Sequence, residues 1–175
     1  MRPTLHILKP GLMTTVQDLG RAGFQNLGIG ISGALDSTAL RMANLLVGNK
    51  PGAGGLEVLY VGPTIEIEAD SVRMSFVGAA ATVEILPDAS AGSGIRIETM
   101  RSVLVKRGEV VRVGSLAGGA TLYVGIEGGF DIQPILGSVS TNIRGGTGDG
   151  RPGPWWRAIG CHYAECELRN GMNAK

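Results

Sequence analysis

From Leu56 onward, apolar and polar residues follow a period of two. The runs LEVLYV, TIEIEA, VRMSFV, TVEIL, IRIE, SVLVK, EVVRV and ATLYVGI are short and rich in β-branched residues. Turn residues separate them, among them Gly62-Pro63, Pro87-Asp88 and Gly118-Gly119. Many short strands at such spacing predict a mostly antiparallel barrel or sandwich. The Gly118-Gly119 pair is placed to close a hairpin between Val110–Val113 and Leu122–Ile126. Near the N-terminus, LHILK reads as one more strand, stopped by Pro10-Gly11.

Between Gly11 and Leu35 the alternation is lost to glycines and isolated polar residues. A helical period then appears in DSTALRMANLLVGN, where Leu40, Ala43 and Val47 share a face with Ala39, Met42 and Leu46 beside them. Asp36 is a good N-cap, because its carboxylate accepts the free N–H groups of a first turn. Gly48 is placed to end the helix in a left-handed cap. The pattern therefore predicts a mainly β chain with one or two helices.

Composition narrows the function classes. The chain has 175 residues, 43% of them hydrophobic and 18% charged, which is a globular balance. A net charge of +1 makes no electrostatic case for nucleic acid. No apolar run reaches the ~18 residues of a membrane span. The N-terminal MRPTLHILKPG lacks the apolar core and cleavage site of a signal peptide, so the expected compartment is cytoplasmic. Glycine, at 29 residues, is scattered without a collagen period and implies many turns. Cys161, His162 and Cys166 in CHYAEC lack a fourth ligand and make a poor zinc site, so no metal is expected.

The segment LKPGLMTTVQDLGRAGFQNLGIGISGALDSTALRMANLLVGN resembles the start of the biotin-dependent carboxyltransferase family. That family includes allophanate hydrolase subunit 2-like proteins, the 5-oxoprolinase C subunit, and the matching domain of urea carboxylase (urea amidolyase). The matching residues include Pro10, Gly11, Thr14, Thr15, Gln17, Asp18, Gly20, Arg21, Ser32, Gly33, Asp36, Arg41, Asn44 and Gly48-Asn49, with Ile31 where a proline is common. GGLEVLYVGPTIEIEAD and YVGIEGGFDIQPILGSVSTNIRGG resemble two later family segments, with Val139 and Asn142 replacing a common arginine and aspartate. The resemblance runs from about Leu8 to about Gly146. It implies a cyclophilin-like β-barrel carboxyltransferase subdomain plus an incomplete second subdomain. Residues 1–146 are then the N-terminal part of the subdomain A/B domain, and 147–175 a non-family tail.

That tail holds both tryptophans and both cysteines. Back-translation of PWWRAIGCHY, shifted by one base, permits Leu-Val-Ala-Gly-Asp-Arg-Leu-Pro-Leu, which resembles the family's own continuation. The expectation is a frameshift between about Gly146 and Pro154, giving a truncated chain with a poorly ordered tail.

The resemblance implies an enzyme component of amide chemistry. In one branch, an ATP-dependent complex opens 5-oxoproline to glutamate by cleaving its cyclic C–N amide bond. In the other, biotin carries a carboxyl group to urea. Relatives also act as non-enzymatic regulators by binding a kinase inhibitor. The first branch implies a B-type partner (allophanate hydrolase subunit 1-like) and a small amide or lactam substrate. Both chemistries need donors for developing negative oxygen and a means of handling protons. Gln17, Asp18 and Arg21 are the candidate catalytic residues. Arg21 suits an anion through its bidentate fork, or else braces its loop by pairing with Asp18. Ser32-Gly33 forms a candidate turn beside them. Ser138, Ser140, Thr141 and Arg144 form a polar cluster in a glycine-rich loop that suits a carboxylate or phosphate, or satisfies the turn's own backbone. Asp36 and Asn44 are expected to be structural, Asp36 as the cap and Asn44 as a buried loop brace, and His6 is expected to be structural too. GNKPGAGG has the wrong order for a Walker loop, and no Met-Lys-Met biotinylation motif is present. ATP or carboxybiotin therefore enters only through partner subunits or domains.

Overall fold

The computed structural model describes residues 4–146 and a strand at residues 165–167. The tryptophan pair, Cys161 and His162 lie outside the described residues, and so does most of the tail.

A single nine-stranded sheet curls into a half-barrel, and every strand pairing described is antiparallel. The strands are β1 (Thr4–Lys9), β2 (Met13–Gln17), β3 (Gly55–Leu59), β4 (Thr64–Ile67), β5 (Ser71–Leu86), β6 (Ile95–Ile97), β7 (Arg101–Lys106), β8 (Val110–Ile126) and β9 (Glu165–Glu167). One α-helix, α1 (Ser37–Leu46), and a short 3-10 turn at Gln25–Leu27 complete the described elements. The mainly β expectation holds.

Strand β8 is the hub. Along one edge it pairs with β5; along the other its first half meets β4 and its second half meets β3. The order β2-β3-β8-β4-β1-β9 follows, with β6 and β7 attached through β5. β9 sets Cys166 opposite Leu5 on the outer edge of β1.

Three sequence expectations are corrected. The segment MTTVQ, read as part of a polar loop, is β2. VRMSFV and TVEIL are one strand, bent at Gly78, where a side chain would strike Thr121 O at 2.7 Å. Gly118-Gly119 closes no hairpin. It lies inside β8, whose two halves both pair with β5 and not with each other. The glycines there let the strand bulge, with Ala80 facing Ala117 and Gly78 facing Leu122.

The pleat sends alternate residues to opposite faces. Leu56, Val58, Phe76, Leu122 and Val124 enter the main core inside the curl. Glu57, Val77 and Tyr123 face the other way, under α1, where Ala39, Leu40 and Ala43 cover the sheet. Gly125 permits the close approach, because a side chain there would lie 2.5 Å from Ala43 O. Ser75, fully buried beside it, donates its hydroxyl to that same carbonyl at 2.7 Å.

Both ends of α1 are made locally. The Asp36 carboxylate accepts the Thr38 and Ala39 N–H groups at 3.0 Å each. At the other end Gly48 is left-handed (φ 77°), and the Gly48 and Asn49 amides reach back to Leu45 O and Asn44 O, a Schellman closure. The buried Asn44 side chain donates to Ala53 O at 2.8 Å and accepts from Asn49 at 3.0 Å. Asn49 in turn donates to Ile126 O and accepts from Gly128 N–H, tying the helix end to the end of β8.

Candidate functional site

Strand β2 ends at Gln17, and the chain turns at Asp18. There it meets two distant loops, 31–34 and 135–141. Ala34 N–H donates to Asp18 O at 2.9 Å, and Thr141 N–H donates to Val16 O at 2.9 Å. The backbones of 19–21 and 31–33 cross closely. A side chain on Gly20 would lie 2.7 Å from Ser32 O, and one on Gly33 would lie 2.9 Å from Gly20 N. Both glycines have positive φ, and so does Ser32 (φ 57°), a strained value for a residue with a side chain.

The Asp18 carboxylate is the centre of this junction. Its Oδ1 accepts Gly20 N–H at 2.7 Å, the Ser138 hydroxyl at 2.7 Å and the Ser140 hydroxyl at 2.5 Å. Its Oδ2 accepts Val139 N–H at 2.8 Å. Burial pushes the Asp18 carboxyl up, but these hydrogen bonds from Ser138, Ser140, Gly20 and Val139 together outweigh it and hold it below its ordinary value. Asp18 is therefore anionic at neutral pH with its lone pairs engaged. The turn that delivers the two serines is a two-residue hairpin. Ile135 and Ser138 exchange backbone bonds across Leu136 and Gly137, both with positive φ, as a type I′ turn requires.

Arg21 is 1% exposed and reaches the same junction from the other side. Its Nη2 donates to Ser140 O, its Nη1 to Ser32 Oγ at 3.2 Å and its Nε to Ile135 O at 3.4 Å. Among the described residues it has no carboxylate partner. Instead of pairing with Asp18 directly, it shares Ser140 with it. Ser140 presents its carbonyl to the cation and its hydroxyl to the anion.

Gln17 is buried and donates from Nε2 to Thr15 Oγ1 at 3.0 Å and to Thr141 O at 3.1 Å. The Thr141 carbonyl fixes which end of the amide faces it. Gln17 Oε1 is left buried without a hydrogen-bond partner among the described residues.

The structure thus brings Gln17, Asp18, Arg21, Ser32, Gly33, Ser138, Ser140 and Thr141 together. It separates Arg144 from them. Ser138, Ser140 and Thr141 face inward onto β2, while Arg144 is exposed farther along the same loop and makes no hydrogen bond or ion pair among the described residues. The expected four-residue polar cluster is therefore three buried residues and one surface cation. His6 sits on β1 facing Glu66 of β4 at 3.6 Å, away from the junction.

Two residues escaped the sequence reading. Glu57 and Tyr123, directly opposite each other on β3 and β8, are both buried beneath the loop that carries Ser32 and Gly33. The signal was a charged residue inside an apolar strand run, LEVL, on the face that α1 covers.

The Lys50 loop follows the C-terminus of α1, the negative end of the helix dipole, and the Gly48 amide ahead of it is bonded to Leu45 O. Among the described residues no group of three or more His, Cys, Asp or Glu side chains is placed to hold a metal ion. Among the described residues no helix is long and apolar enough to cross a membrane.

The family described as carboxyltransferase domain, subdomain A and B, matches residues 27–154. The chain belongs to this carboxyltransferase-domain family. The matched range begins after Arg21, so Gln17, Asp18 and Arg21 of the junction lie just ahead of it. One relative, the 5-oxoprolinase C subunit, from Escherichia coli, is 38% identical over 82% of this chain and 44% of that protein. Urea amidolyase of Saccharomyces cerevisiae is 34% identical over 82% of this chain and 8% of that protein. The solved structure of Kluyveromyces lactis urea carboxylase superposes with a TM-score of 0.82 at 28% identity, covering 96% of this chain and 14% of that one. This carboxyltransferase-domain chain spans less than half the length of each of these relatives.

Proposed function

We propose that this chain is the C-type component of an ATP-dependent 5-oxoprolinase, acting with a B-type partner to hydrolyse the cyclic C–N amide bond of 5-oxoproline. One observation carries the reading: the 38% identity to a protein that is itself a 5-oxoprolinase subunit, over 82% of this chain. The junction holds an unpartnered amide acceptor, Gln17 Oε1, and the loop beyond it ends in an exposed cation, Arg144.

In this reading, Asp18 and Arg21 are positioning residues. A carboxylate that already accepts four hydrogen bonds and has a lowered proton affinity is a poor base. Thr141 lines the site beside Gln17, Ser32 lines it beside Arg21 and Gly33 beside Gly20, while Arg144, on the surface apart from them, is free to meet an anionic group of the substrate or the partner. ATP is bound by the partner, and the place of the Lys50 loop at the negative end of the α1 dipole is consistent with that. Such a complex works in the cytoplasm, where its ATP is.

A second reading, a carboxyltransferase component that takes a carboxyl group from carboxybiotin to urea, is favoured by the superposition on urea carboxylase. The deciding experiment combines the chain with its B-type partner and supplies ATP with 5-oxoproline, or a carboxybiotin donor with urea. ATP-dependent glutamate formation supports the first reading. Carboxylation of urea without glutamate overturns it in favour of the second. Partner binding with neither turnover overturns both and leaves a regulatory binding protein.

A further inference from the structure

The junction leaves two buried titratable side chains unused, Glu57 and Tyr123. They lie in one row across the sheet, Thr15–Glu57–Tyr123–Val77, on the face under α1. Tyr123 is fully buried and packs with Ala39, Leu40, Ala43 and Val77. Its hydroxyl donates to Glu57 Oε2 at 2.6 Å and accepts Asp36 N–H at 2.7 Å. The same Glu57 oxygen accepts Leu35 N–H at 2.8 Å. Burial first, with the Glu57 carboxylate adding to it and the Asp36 amide opposing, pushes the Tyr123 phenol above its ordinary range. Tyr123 therefore keeps the proton it donates.

Three consecutive amides are thus fastened to three different elements. Ala34 is held by Asp18, Leu35 by Glu57 and Asp36 by Tyr123. Two residues before them stands Ser32, a non-glycine residue at φ 57° whose hydroxyl meets Arg21. A non-glycine residue in the left-handed region is strained and persists only where its surroundings over-determine it. Arg21 and Ile31 fix the turn from one side. On the other side, the anchors on the sheet are Glu57 and Tyr123.

We infer that Glu57 and Tyr123 are positioning residues that hold the Ser32–Gly33 turn against Arg21. This rests on the proposed site, but its structural half is testable without any turnover. A role confined to the start of α1 predicts loosening at Leu35 and Asp36 only. A positioning role predicts that the loosening reaches the Arg21 amide, which donates to Ile31 O at 2.8 Å across the turn.

The test uses the full chain with its partner and two variants. Tyr123→Phe keeps the ring in its packing and removes the hydroxyl. Glu57→Gln keeps an oxygen that accepts both bonds. Hydrogen exchange at Arg21, Leu35 and Asp36 is read beside kcat and KM for 5-oxoproline. With Tyr123→Phe, exchange at all three amides is expected to rise about tenfold or more, and kcat/KM to fall by a similar factor. Amides of β5 and β8 keep their protection. Glu57→Gln is expected to stay within about threefold of the parent on each readout. Unchanged exchange at Arg21 in Tyr123→Phe overturns the inference, as does damage in Glu57→Gln equal to that in Tyr123→Phe. If the parent complex turns over no 5-oxoproline, the proposed function fails, while exchange at Arg21 still decides this inference.

Discussion

At the scale of single residues, Asp18 shows how a side chain becomes structural by being over-supplied with donors. Two hydroxyls and two amides, from Gly20 and from the 138–140 segment, converge on one carboxylate. Hydrogen bonds to a charged group each contribute about 1.5–3 kcal/mol, and removing one partner strands the rest. Asp18→Asn puts an NH2 group among donors, and is expected to cost about 3 kcal/mol in urea denaturation at pH 7. The pH dependence has a definite sign. The folded carboxyl lies below its ordinary value of 3.8, so its contribution is fully present above that value and fades as pH falls through the lower, folded one. The stability gap between parent and Asp18→Asn should therefore be flat at mildly acidic and neutral pH and narrow only below about pH 4. A gap that closes nearer neutrality would mean that another group sets it. Of the two roles the sequence leaves open for Arg21, a direct pair with Asp18 is not formed; the two share Ser140 instead. Gln17, Asp18 and Arg21 stand out as polar residues among glycines. That Asp18 and Arg21 meet through Ser140 depends on a contact 122 residues away in the chain, which no local pattern records.

Elements divide by how local their determinants are. Helix α1 was legible from end to end because its cap, its stripe and its stop all lie within Asp36–Asn49. Its predictions follow from the same locality. Asp36→Ala removes the acceptor of two first-turn amides and should cost about 1 kcal/mol. Asp36→Asn, which can still accept, should cost only a few tenths. Gly48→Ala adds a side chain that meets nothing within 4 Å, so its cost is left-handed backbone strain alone, about 1 kcal/mol. Thermal melts of the three variants check this ranking, and a Gly48→Ala variant as stable as the parent would remove the left-handed cap from the account. Strand β2 was not legible. Three of its five residues, Thr14, Thr15 and Gln17, are buried polar side chains, bonded to Pro10 O, to each other and to Thr141 O. The long strands β5 and β8 each read as two in the sequence, because a glycine can mark a bulge or bend inside a strand as well as its end. Only the partner strand distinguishes these cases.

At the scale of the molecule, the packing separates into two parts with different cements. Inside the curl, Phe76, Val124 and Leu122 belong to a continuous apolar core. The loops 18–21, 31–36 and 135–141 are held mostly by hydrogen bonds to Asp18, Arg21, Glu57 and Tyr123. Apolar packing is lost only when the sheet comes apart, whereas hydrogen-bonded loops open locally, without global unfolding. Native-state hydrogen exchange should accordingly show amides near Arg21, Ala34 and Thr141 opening together, at a lower free energy than amides in β5 and β8. The double variant Ser138→Ala/Ser140→Ala removes two hydroxyl donors from Asp18. It should lower the opening free energy of the loops by about 3 kcal/mol and leave the central strands nearly unchanged. Phe76→Ala, a cavity at the centre of the core, should lower global stability by about 3–5 kcal/mol and speed exchange in β5 and β8. If the serine variant instead weakened every strand equally, the junction would belong to the core's cooperative unit, and site and scaffold could not vary independently. If only the loops respond, the junction is a separately tuned part carried on a stable sheet, and changes at Ser138 and Ser140 can alter the site without unfolding the domain.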